Sequence, residues 1–313
     1  MELRVEPLQG RLPSVLRRSV AIGNFDGVHL GHRRLLEACI AVGERLHLCP
    51  TALTFDPHPA SVVSDRGAPP RIQTAASRRR ALGALGIQEL ATLRFDPETA
   101  RLPPGAFVEE ALLLRLEAGA VVVGQGFRFG AARAGDVAAL RDLSAGRFEV
   151  VEVPSLEDRA GRVSSSRVRE ALRAADLATA ERLIGRPYEV EGTVIHGDAR
   201  GRTIGFPTAN LDVDGMSALA PGVYAADGLL PGEIEPRRAA VNFGARPTFD
   251  GVASRFEAHF PGWSGDLYGQ GLRVRLLERI RPEQRFASPA ELVARIAEDV
   301  RSALDLGARP WPR

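Results

Sequence analysis

The sequence predicts two domains: an α/β domain built on a parallel sheet, then a mostly antiparallel β domain that ends in a helix. Three observations support this prediction. At 313 residues the chain exceeds an ordinary single core. Up to about residue 153, short apolar runs alternate with helical stretches, as in βαβ units. After Pro187, short alternating segments are separated by turns without helices, which favours a sandwich or a closed barrel.

The first domain shows predicted strands and helices in alternation. The strands are predicted at 19–23, 50–55, 89–95, 120–124 and 148–154, and the helices at 33–46, 77–86, 105–116 and 136–143. Strands separated by helices of this size pair in parallel, with helices on both faces of the sheet. Two short helices should follow, with Asp176 as N-cap and Gly185 as the terminal glycine. We therefore predict domains at 1–186 and 187–313.

The second domain shows antiparallel strand patterns and a final helix. The strands are predicted at 188–195, 222–230, 237–243, 254–260 and 271–280. In the last of these, apolar residues alternate with Arg273 and Arg275, the period of a half-buried strand. The helix should begin with Ser288 as N-cap, Pro289 at the first position and Glu291 completing a capping box. Its predicted apolar face consists of Leu292, Ile296, Val300 and Leu304.

The composition excludes several classes of protein. Hydrophobic residues at 44% and charged residues at 26% argue against disorder and against a coiled coil. The sequence contains no lysine, so a Walker A loop and a Schiff-base mechanism are both excluded. The 41 basic residues are therefore all arginine, and 39 acidic residues leave a net charge of +2, which gives little support to nucleic-acid binding.

Other sequence features indicate the compartment. No window approaches the ~20 apolar residues that a membrane span needs, and the first residues lack the apolar core of a signal peptide. Cys39 and Cys49 lie in apolar surroundings without metal-ligand spacing, so we predict buried, reduced thiols. We expect a cytoplasmic protein without membrane or nucleic-acid partners.

A turn between the first strand and the first helix is the main candidate site of the α/β domain. The segment AIGNFDGVHLGHRRLL places strand, turn and helix start at the sheet edge where such folds bind ligands, and a helix start attracts phosphate. Glycines at 23, 27 and 31 would let the backbone approach a ligand closely. His29 and His32 could donate hydrogen bonds to phosphate oxygens as charge builds. The alternative is that both histidines only cap the turn.

The segment GDARGRTIGFPTANL, residues 197–211, is the candidate site of the β domain. Gly197, Gly201 and Gly205 would permit close approach of phosphate. Thr208 and Asn210 are two residues apart, so an extended chain directs both oxygens to one side, where they suit magnesium. From its residues alone, this segment fits an ordinary loop equally well.

Both segments resemble the bacterial bifunctional riboflavin kinase/FMN adenylyltransferase family. GNFDGVHLGH contains the HxGH signature of nucleotidyltransferases, and TFDPHP, VVGQGFRFG and VSSSRVREAL follow in the family's order. In the β domain, PTAN is followed by PGVYAA, AAVNFGARPTF, FEAHF, GDLYG and RIRPEQRF. The resemblance implies a Rossmann-like nucleotidyltransferase domain followed by a β-barrel riboflavin kinase domain. It implies phosphorylation of riboflavin to FMN and adenylylation of FMN to FAD, with ATP as co-substrate and Mg²⁺ as cofactor.

The resemblance also implies roles for individual residues. Glu257 would be the general base for the ribityl 5′-hydroxyl, and His29 and His32 would stabilise charge on the transferring and leaving phosphates. Thr208 and Asn210 would hold magnesium and an ATP phosphate. The expected ATP or phosphate contacts are Gly23, Asn24, Phe25, Gly31, Ser165, Ser166, Arg167, Gly197, Arg202 and Thr203. The flavin-side candidates are Asp56, Phe127, Arg281 and Glu283.

Three of these assignments have alternatives. Asp56 fits a site for magnesium or substrate and an ordinary surface turn equally well. The serines that open the helix after residue 163 could cap it as well as bind phosphate, and Arg167 and Arg169 could add guanidinium groups there. Trp263 could pack on the isoalloxazine ring or simply within the protein.

The sequence departs from the family pattern at three places. Gly126 stands where Asp or Asn is usual, Ser166 where Thr is usual, and Pro261 with Gly262 where Leu-Asp is frequent. Because Gly126 lacks a polar side chain, the alternative function is a riboflavin kinase with weakened adenylyltransferase activity. A flavin- or nucleotide-binding regulator with nucleic-acid contacts is a third hypothesis, but a regulator would need neither motif set.

Overall fold

A computed structural model describes residues 1–8, 17–197, 200–213, 216–248 and 251–307, with the side chains of 200, 245–248 and 251–253 left out. The chain divides into two compact units. The first contains residues 1–69 and 78–164, and the second contains 70–77 and 165–313. The helices at 165–184 thus belong to the second structural unit. The boundary predicted at residue 186 separates the two enzymatic domains, and it stays a prediction.

The first unit contains a six-stranded sheet with the order β1-β4-β3-β2-β5-β6. Its strands are β1 (Leu3–Pro7), β2 (Arg18–Ile22), β3 (Cys49–Asp56), β4 (Glu89–Arg94), β5 (Ala118–Gly124) and β6 (Glu149–Val153). Five strands are parallel, as predicted, and β1 adds an antiparallel edge that the sequence analysis missed. A small hairpin follows, formed by β7 (Glu157–Asp158) and β8 (Gly161–Arg162).

The helices that precede residue 165 follow the predicted alternation. They are α1 (Leu30–Leu46), α2 (Ala60–Val63), α3 (Ala75–Ala84), α4 (Pro104–Ala106) and α5 (Val137–Ser144), with short 3₁₀ turns at Thr99–Arg101 and Ala131–Arg133. The predicted helix at 105–116 is largely a π-helix, Phe107–Arg115. Alternate residues of the central strands pack on opposite layers: Val20 and Ile22 on one core, Ala21 on the other. Both faces of the sheet are therefore covered, as a parallel sheet requires.

The second unit begins with two helices and continues as a closed antiparallel barrel with the strand order β10-β13-β12-β11-β14-β9. The helices are α6 (Ser165–Arg173), α7 (Leu177–Ile184), α8 (Arg200–Thr203) and α9 (Pro289–Asp305). The strands are β9 (Glu189–Ile195), β10 (Ala209–Asp212), β11 (Gly222–Leu229), β12 (Arg237–Thr248), β13 (Gly251–His259) and β14 (Gly271–Arg281). The predicted caps of α7, Asp176 and Gly185, are confirmed.

Three sequence predictions for the barrel unit need correction. Residues 209–212, expected in a loop, form β10, because they pair with both β9 and β13. Arg275 is only 2% exposed, so its strand is not half-buried; Asp227 Oδ2 lies 2.6 Å from Arg275 Nη2 and supplies the opposite charge. Leu304 is 52% exposed, and Ala303 takes the buried position on α9.

The start of α9 agrees with the sequence in part. Ser288 is the N-cap, and its hydroxyl accepts a hydrogen bond from the Glu291 backbone N–H at 3.2 Å. The Glu291 carboxylate accepts from Ala287 N at 3.0 Å. A capping box would direct that carboxylate to the N-cap residue itself. Within the described residues, no helix is long and apolar enough to cross a membrane.

Candidate active sites

The candidate site of the first unit lies at the carboxyl edge of its sheet. Residues 23–29 follow β2, Asp56 ends β3, and Phe127 follows β5. Strand β2 pairs with β3 on one side and β5 on the other, so the strand order reverses here. Such switch points form the ligand crevices of α/β sheets. The fold therefore brings these three predicted segments to one edge.

His29 has a structural role as well as its predicted chemical one. Its side chain caps α1, since Nδ1 accepts a hydrogen bond from the His32 backbone N–H at 3.2 Å. With Nδ1 accepting, the ring N–H of the neutral form is on Nε2. The two imidazoles are stacked, with centroids 3.7 Å apart and planes 15° from parallel. Capping and charge stabilisation are thus compatible in one residue.

The backbone of this turn is strained. Phe25 and Val28 have φ values of 51° and 40°, a region that a β-branched residue such as Val rarely adopts. Backbone strain of this kind concentrates at functional sites. Phe25 is fully buried, and its ring lies edge-on to His32 at 5.4 Å. The buried Phe25 ring is not placed to contact ATP itself. The predicted contact with ATP would therefore be made by the Phe25 backbone or by the His32 imidazole, against which the ring packs.

Two glycines of the turn are required by close contacts. A Cβ on Gly23 would lie 3.1 Å from the Phe25 ring, and a Cβ on Gly31 would lie 3.1 Å from the His29 ring and 3.2 Å from the Val163 carbonyl oxygen. Contacts of this length leave little room for a methyl group. Gly23 and Gly31 thus let both rings fold back against the backbone.

His58 is a residue of this edge that the sequence analysis did not single out. Its Nε2 lies 3.1 Å from Asn24 Nδ2, and its Nδ1 accepts a hydrogen bond from Ala60 N. Because Nδ1 accepts, Nε2 of neutral His58 carries the proton, and the Asn24 oxygen is its natural acceptor. His58 therefore joins the turn after β2 to the turn after β3. The TFDPHP motif, which contains His58, was the sequence signal that could have identified this residue.

The other predicted residues of this site lie as follows. Phe127 stacks on Phe129 with centroids 5.6 Å apart. Gly126 has φ 75°, and no atom lies within 4 Å of a Cβ built on it. Ser165, Ser166 and Arg167 open α6 in the second unit, so their convergence with the histidines stays a prediction.

The candidate site of the barrel is centred on Glu257. In the strand register, Glu257 of β13 is paired with Asn210 of β10 on one side and with Asn242 of β12 on the other. Directly opposed residues of antiparallel strands project on the same face. The three polar side chains thus form a row across the barrel wall. Asn242, within the AAVNFG motif, was missed because pairing between distant strands is not visible in a sequence.

Glu257 has an arginine partner on its own strand. Arg255 Nη2 lies 2.6 Å from Glu257 Oε1, and the two side chains are 32% and 15% exposed. They are two residues apart on a strand, so both face the same side. Their neighbours Phe256 and Ala258 are buried, as the alternation of a strand requires.

Two members of the row, Glu257 and Asn242, line a cavity of about 590 Å³, which we name the Glu257 cavity. Its lining is Gly201, Ile204, Phe206, Thr208, Val223, Ala240, Val241, Asn242, Arg255, Glu257, His259, Arg281, Glu283, Gln284, Arg285, Phe286, Leu292, Ile296 and Asp299. Apolar side chains with a few polar groups are typical of small-molecule sites. The predicted flavin candidates Arg281 and Glu283 share this cavity with the predicted base.

A second cavity of about 460 Å³, the Trp263 cavity, has one lining residue in common with the first. Its lining is Val194, Arg202, Pro207, Thr208, Ala209, Ala258, Phe260, Trp263, Ser264, Gly265, Asp266, Leu267 and Tyr268. Thr208 lines both cavities. Trp263 belongs to the cavity that lacks Glu257, so the interpretation that it packs on the isoalloxazine beside the base finds no support.

The segment that carries Thr208 is fixed at both ends. The Pro207 carbonyl lies 2.8 Å from His259 Nδ1, which therefore carries the proton and donates. A Cβ on Gly197 would overlap the Asn210 side chain, and one on Gly201 would overlap the Phe206 carbonyl. These two glycines leave room for the Asn210 side chain and the Phe206 carbonyl, and the close approach of phosphate stays a prediction. Thr203 follows Arg202 on α8.

The polar residues at the end of β14 are also held in place. A Cβ on Gly244 would overlap the Glu283 carboxylate, so that carboxylate lies directly on the backbone of β12. Arg281 is paired with Asp299 of α9, with Nη2 2.8 Å from Oδ2. Both flavin candidates, Arg281 and Glu283, are thus held by contacts within the protein.

Comparisons with known proteins assign a family to each half of the chain. Residues 14–167 match a family model described as FAD synthetase, and residues 184–306 match one described as riboflavin kinase. The bifunctional riboflavin kinase/FMN adenylyltransferase of Escherichia coli K12 is 39% identical over 281 residues, which cover 90% of each protein. That of Haemophilus influenzae is 36% identical over 292 residues, covering 91% of this chain and 92% of the relative.

A solved structure has the same architecture over nearly the whole chain. It is the crystal structure of a protein named as a macrolide-efflux protein from Streptococcus pneumoniae. It superposes with a TM-score of 0.75 and 32% sequence identity, covering 93% of this chain and 95% of that one.

Proposed function

This chain belongs to the family of bifunctional riboflavin kinase/FMN adenylyltransferases, and from that premise we propose which residues carry out its two reactions. It phosphorylates riboflavin to FMN with ATP, and it adenylylates FMN to FAD with release of pyrophosphate. The observation that carries the residue assignment is the row Asn210, Glu257 and Asn242, of which Glu257 and Asn242 line one cavity together with Thr208.

In the kinase reaction, Glu257 acts as general base. Its carboxylate accepts the proton of the riboflavin 5′-hydroxyl while that oxygen forms a bond to the γ-phosphorus of ATP and ADP leaves. Arg255, 2.6 Å from Glu257, orients the carboxylate before the substrate arrives. The isoalloxazine ring occupies the apolar part of the Glu257 cavity, near Phe286 and Ile296, with Glu283 as a polar partner.

Thr208 and Asn210 are the proposed magnesium ligands. Within the described residues, no group of three or more His, Cys, Asp or Glu is placed to hold a metal. Magnesium on kinases commonly binds few protein oxygens and completes its shell with phosphate and water, so a hydroxyl and an amide oxygen fit. When bound, the ion would neutralise phosphate charge. Thr208 and Asn210 themselves orient the phosphates toward Glu257.

The nucleotide part of ATP is assigned to the Trp263 cavity. Its aromatic residues, Trp263 and Tyr268, suit a purine ring, and Arg202 adds a cation at the same cavity. Since Thr208 lines both cavities, a phosphate chain that passes Thr208 would reach from this cavity to the Glu257 cavity. Gly197 and Thr203 belong to the segment that we propose contacts those phosphates.

In the adenylylation reaction, His29 and His32 stabilise charge. The FMN phosphate oxygen forms a bond to the α-phosphorus of ATP, and the bond to the pyrophosphate oxygen breaks. Nε2 of neutral His29 carries the proton because Nδ1 accepts in the cap, and we assign this N–H to the phosphate charge. Ser165, Ser166 and Arg167 are the proposed phosphate contacts of α6, and Asp56 and Phe127 the proposed contacts near FMN.

Product analysis tests the proposal directly. Riboflavin, ATP and Mg²⁺ should yield FMN and then FAD on chromatography, and omission of Mg²⁺ should stop the kinase step. FMN with ATP and Mg²⁺, in the absence of riboflavin, should yield FAD. Detection of neither product would contradict the assignment.

Gly126 motivates the second candidate, a kinase with weakened adenylyltransferase activity. The full-length relatives support both activities, and nothing in the fold favours a weakened one. The rate of FAD formation from FMN, compared with FMN formation from riboflavin, separates the two candidates. For location we propose the cytoplasm, because Cys39 and Cys49 are both free thiols, as a reducing compartment requires.

A further inference from the structure

A buried ion pair holds together two walls of the Glu257 cavity. Arg281, the last residue of β14, contacts Asp299 of α9 through two nitrogens: Nε is 3.0 Å from Oδ1, and Nη2 is 2.8 Å from Oδ2. The side chains are 10% and 4% exposed. Two-nitrogen contact with a carboxylate is the strongest and most directional geometry available to arginine.

The remaining contacts of Arg281 are also within the protein. Its Nη1 donates to the Pro282 carbonyl at 3.0 Å, and its guanidinium carbon lies 5.6 Å from the centre of the Phe286 ring. All three guanidinium nitrogens therefore have acceptors. Such a side chain is better suited to shaping a cavity than to contacting a ligand.

The ion pair lies between the apolar groups of the cavity. Phe286 is on the segment that leaves β14, whereas Leu292 and Ile296 are on α9, and all three line the Glu257 cavity. Asp299 is three residues beyond Ile296, so both lie on the same side of the helix. The contact between Asp299 and Arg281 therefore sets the distance between this side of α9 and the end of β14.

We propose that Asp299 is a positioning residue for flavin binding. By holding Arg281, it sets the spacing between Phe286 and the Ile296 side of α9, and with it the affinity for a flat isoalloxazine ring. It takes no part in phosphoryl transfer. The proposal rests on the proposed function, in which riboflavin occupies the Glu257 cavity.

Replacing the charge at Asp299 tests the proposal in the full-length protein. In Asp299→Asn, the KM for riboflavin and the Kd from quenching of riboflavin fluorescence should both rise by about tenfold or more, the factor that ~1.4 kcal/mol of binding energy represents. The kcat at saturating riboflavin and the KM for ATP should change by less than about threefold, because transition-state contacts are kept. Asp299→Glu keeps the carboxylate and should recover most of the affinity.

The matched control is Glu298→Gln, the same change on the neighbouring residue. Glu298 is 51% exposed and pairs with Arg295, whose Nε also lies 3.6 Å from Asp299 Oδ1. The control therefore changes the partner of the second arginine beside Asp299 and leaves the contact between Asp299 and Arg281 in place. This variant should bind riboflavin like the wild type. If Asp299→Asn does not fold, as judged by circular dichroism, Arg281→Lys carries the test, because lysine keeps the charge but cannot make a two-nitrogen contact.

Three outcomes would overturn the proposal: unchanged riboflavin affinity in Asp299→Asn, a loss confined to kcat, or an equal loss in Glu298→Gln. The proposed function fails in a different way, through a wild-type protein that makes no FMN from riboflavin. Formation of FAD from supplied FMN by Asp299→Asn shows that the remainder of the chain is intact.

Discussion

Asn210 and Glu257 are direct partners across strands β10 and β13, although the sequence between them includes two further strands. Their pairing puts a proposed magnesium ligand and the proposed base on one face of the barrel. A general base is effective only within hydrogen-bond reach of the hydroxyl that it serves. The barrel register therefore determines where phosphoryl transfer can occur.

Glu257→Gln should stop the kinase step. Glutamine has a similar size but cannot accept a proton, so the rate of FMN formation should fall by roughly 10²–10⁴-fold. Adenylylation of supplied FMN should be retained, which separate assays of the two steps will show. Glu278→Gln, an exposed residue of β14, is the control and should behave like the wild type. Equal loss of both activities would argue against separate sites.

His29→Asn should separate the two roles of His29. Asparagine is a good N-cap, so α1 should keep its stability, whereas the imidazole N–H proposed to face phosphate is lost. We expect FAD formation from FMN to fall by about 10²-fold or more, with an unchanged melting temperature and normal kinase activity. His32→Gln should behave similarly. Normal FAD synthesis in both variants would show that neither imidazole is needed for charge stabilisation.

Gly126→Asp should increase the rate of FAD formation from FMN. The backbone at Gly126 has φ 75°, which Asp and Asn tolerate better than other residues, and the space around its Cβ is open. A side chain at this φ is strained even in open space, so the free energy of unfolding should fall by about 1 kcal/mol. Gly126→Val, which is strained at this φ, should be less stable. An unchanged rate in Gly126→Asp would show that the position does not limit adenylylation.

Asp227→Asn should destabilise the barrel strongly. Asp227 lies 2.6 Å from Arg275, whose side chain is 2% exposed, and 3.2 Å from Arg238. Removing the carboxylate leaves a buried guanidinium without its counter-charge, at a cost of about 3–5 kcal/mol. The comparison is Glu37→Gln at the exposed pair with Arg33, which should cost about 0–1 kcal/mol. Denaturant unfolding of both variants will measure the difference.

The contribution of Asp176 to stability should depend on pH. Hydrogen bonds from Thr179, its side chain first and its backbone N–H next, lower the pKa of Asp176. The unfolded chain therefore takes up the proton first as the pH falls. The stabilisation is complete above the unfolded pKa of about 3.9 and is lost as the pH falls through the lower folded value.

Asp176→Ala should cost about 1 kcal/mol at neutral pH, the usual worth of an N-cap. The difference from the wild type should shrink in acid, as measured by urea unfolding across the pH range. Asp176→Asn keeps a capping side chain without a titrating group, so its stability should not follow this pH dependence. A constant difference between Asp176→Ala and the wild type at all pH values would exclude the carboxylate as the cause.

Local patterns in the sequence predicted most of the secondary structure. The βαβ alternation and the caps Asp176, Gly185 and Ser288 are all local features, and the structure confirms them. Strand β10 was missed because four residues carry too little pattern; its pairing with β9 and β13 is what makes it a strand. Leu304 was misplaced because only packing decides which residues at the end of a helix face the core.

By itself, the sequence determined the fold class, the two motif segments and the exclusion of lysine chemistry, since residue type and short-range spacing are sufficient for each. The tertiary structure alone decided that Asn242 joins Glu257, that Trp263 belongs to the second cavity, and that Arg281 is bound by Asp299. These relationships depend on strand register and on side chains far apart in the chain. Periodicity reports which face a residue occupies, whereas only the folded backbone determines which residue it meets there.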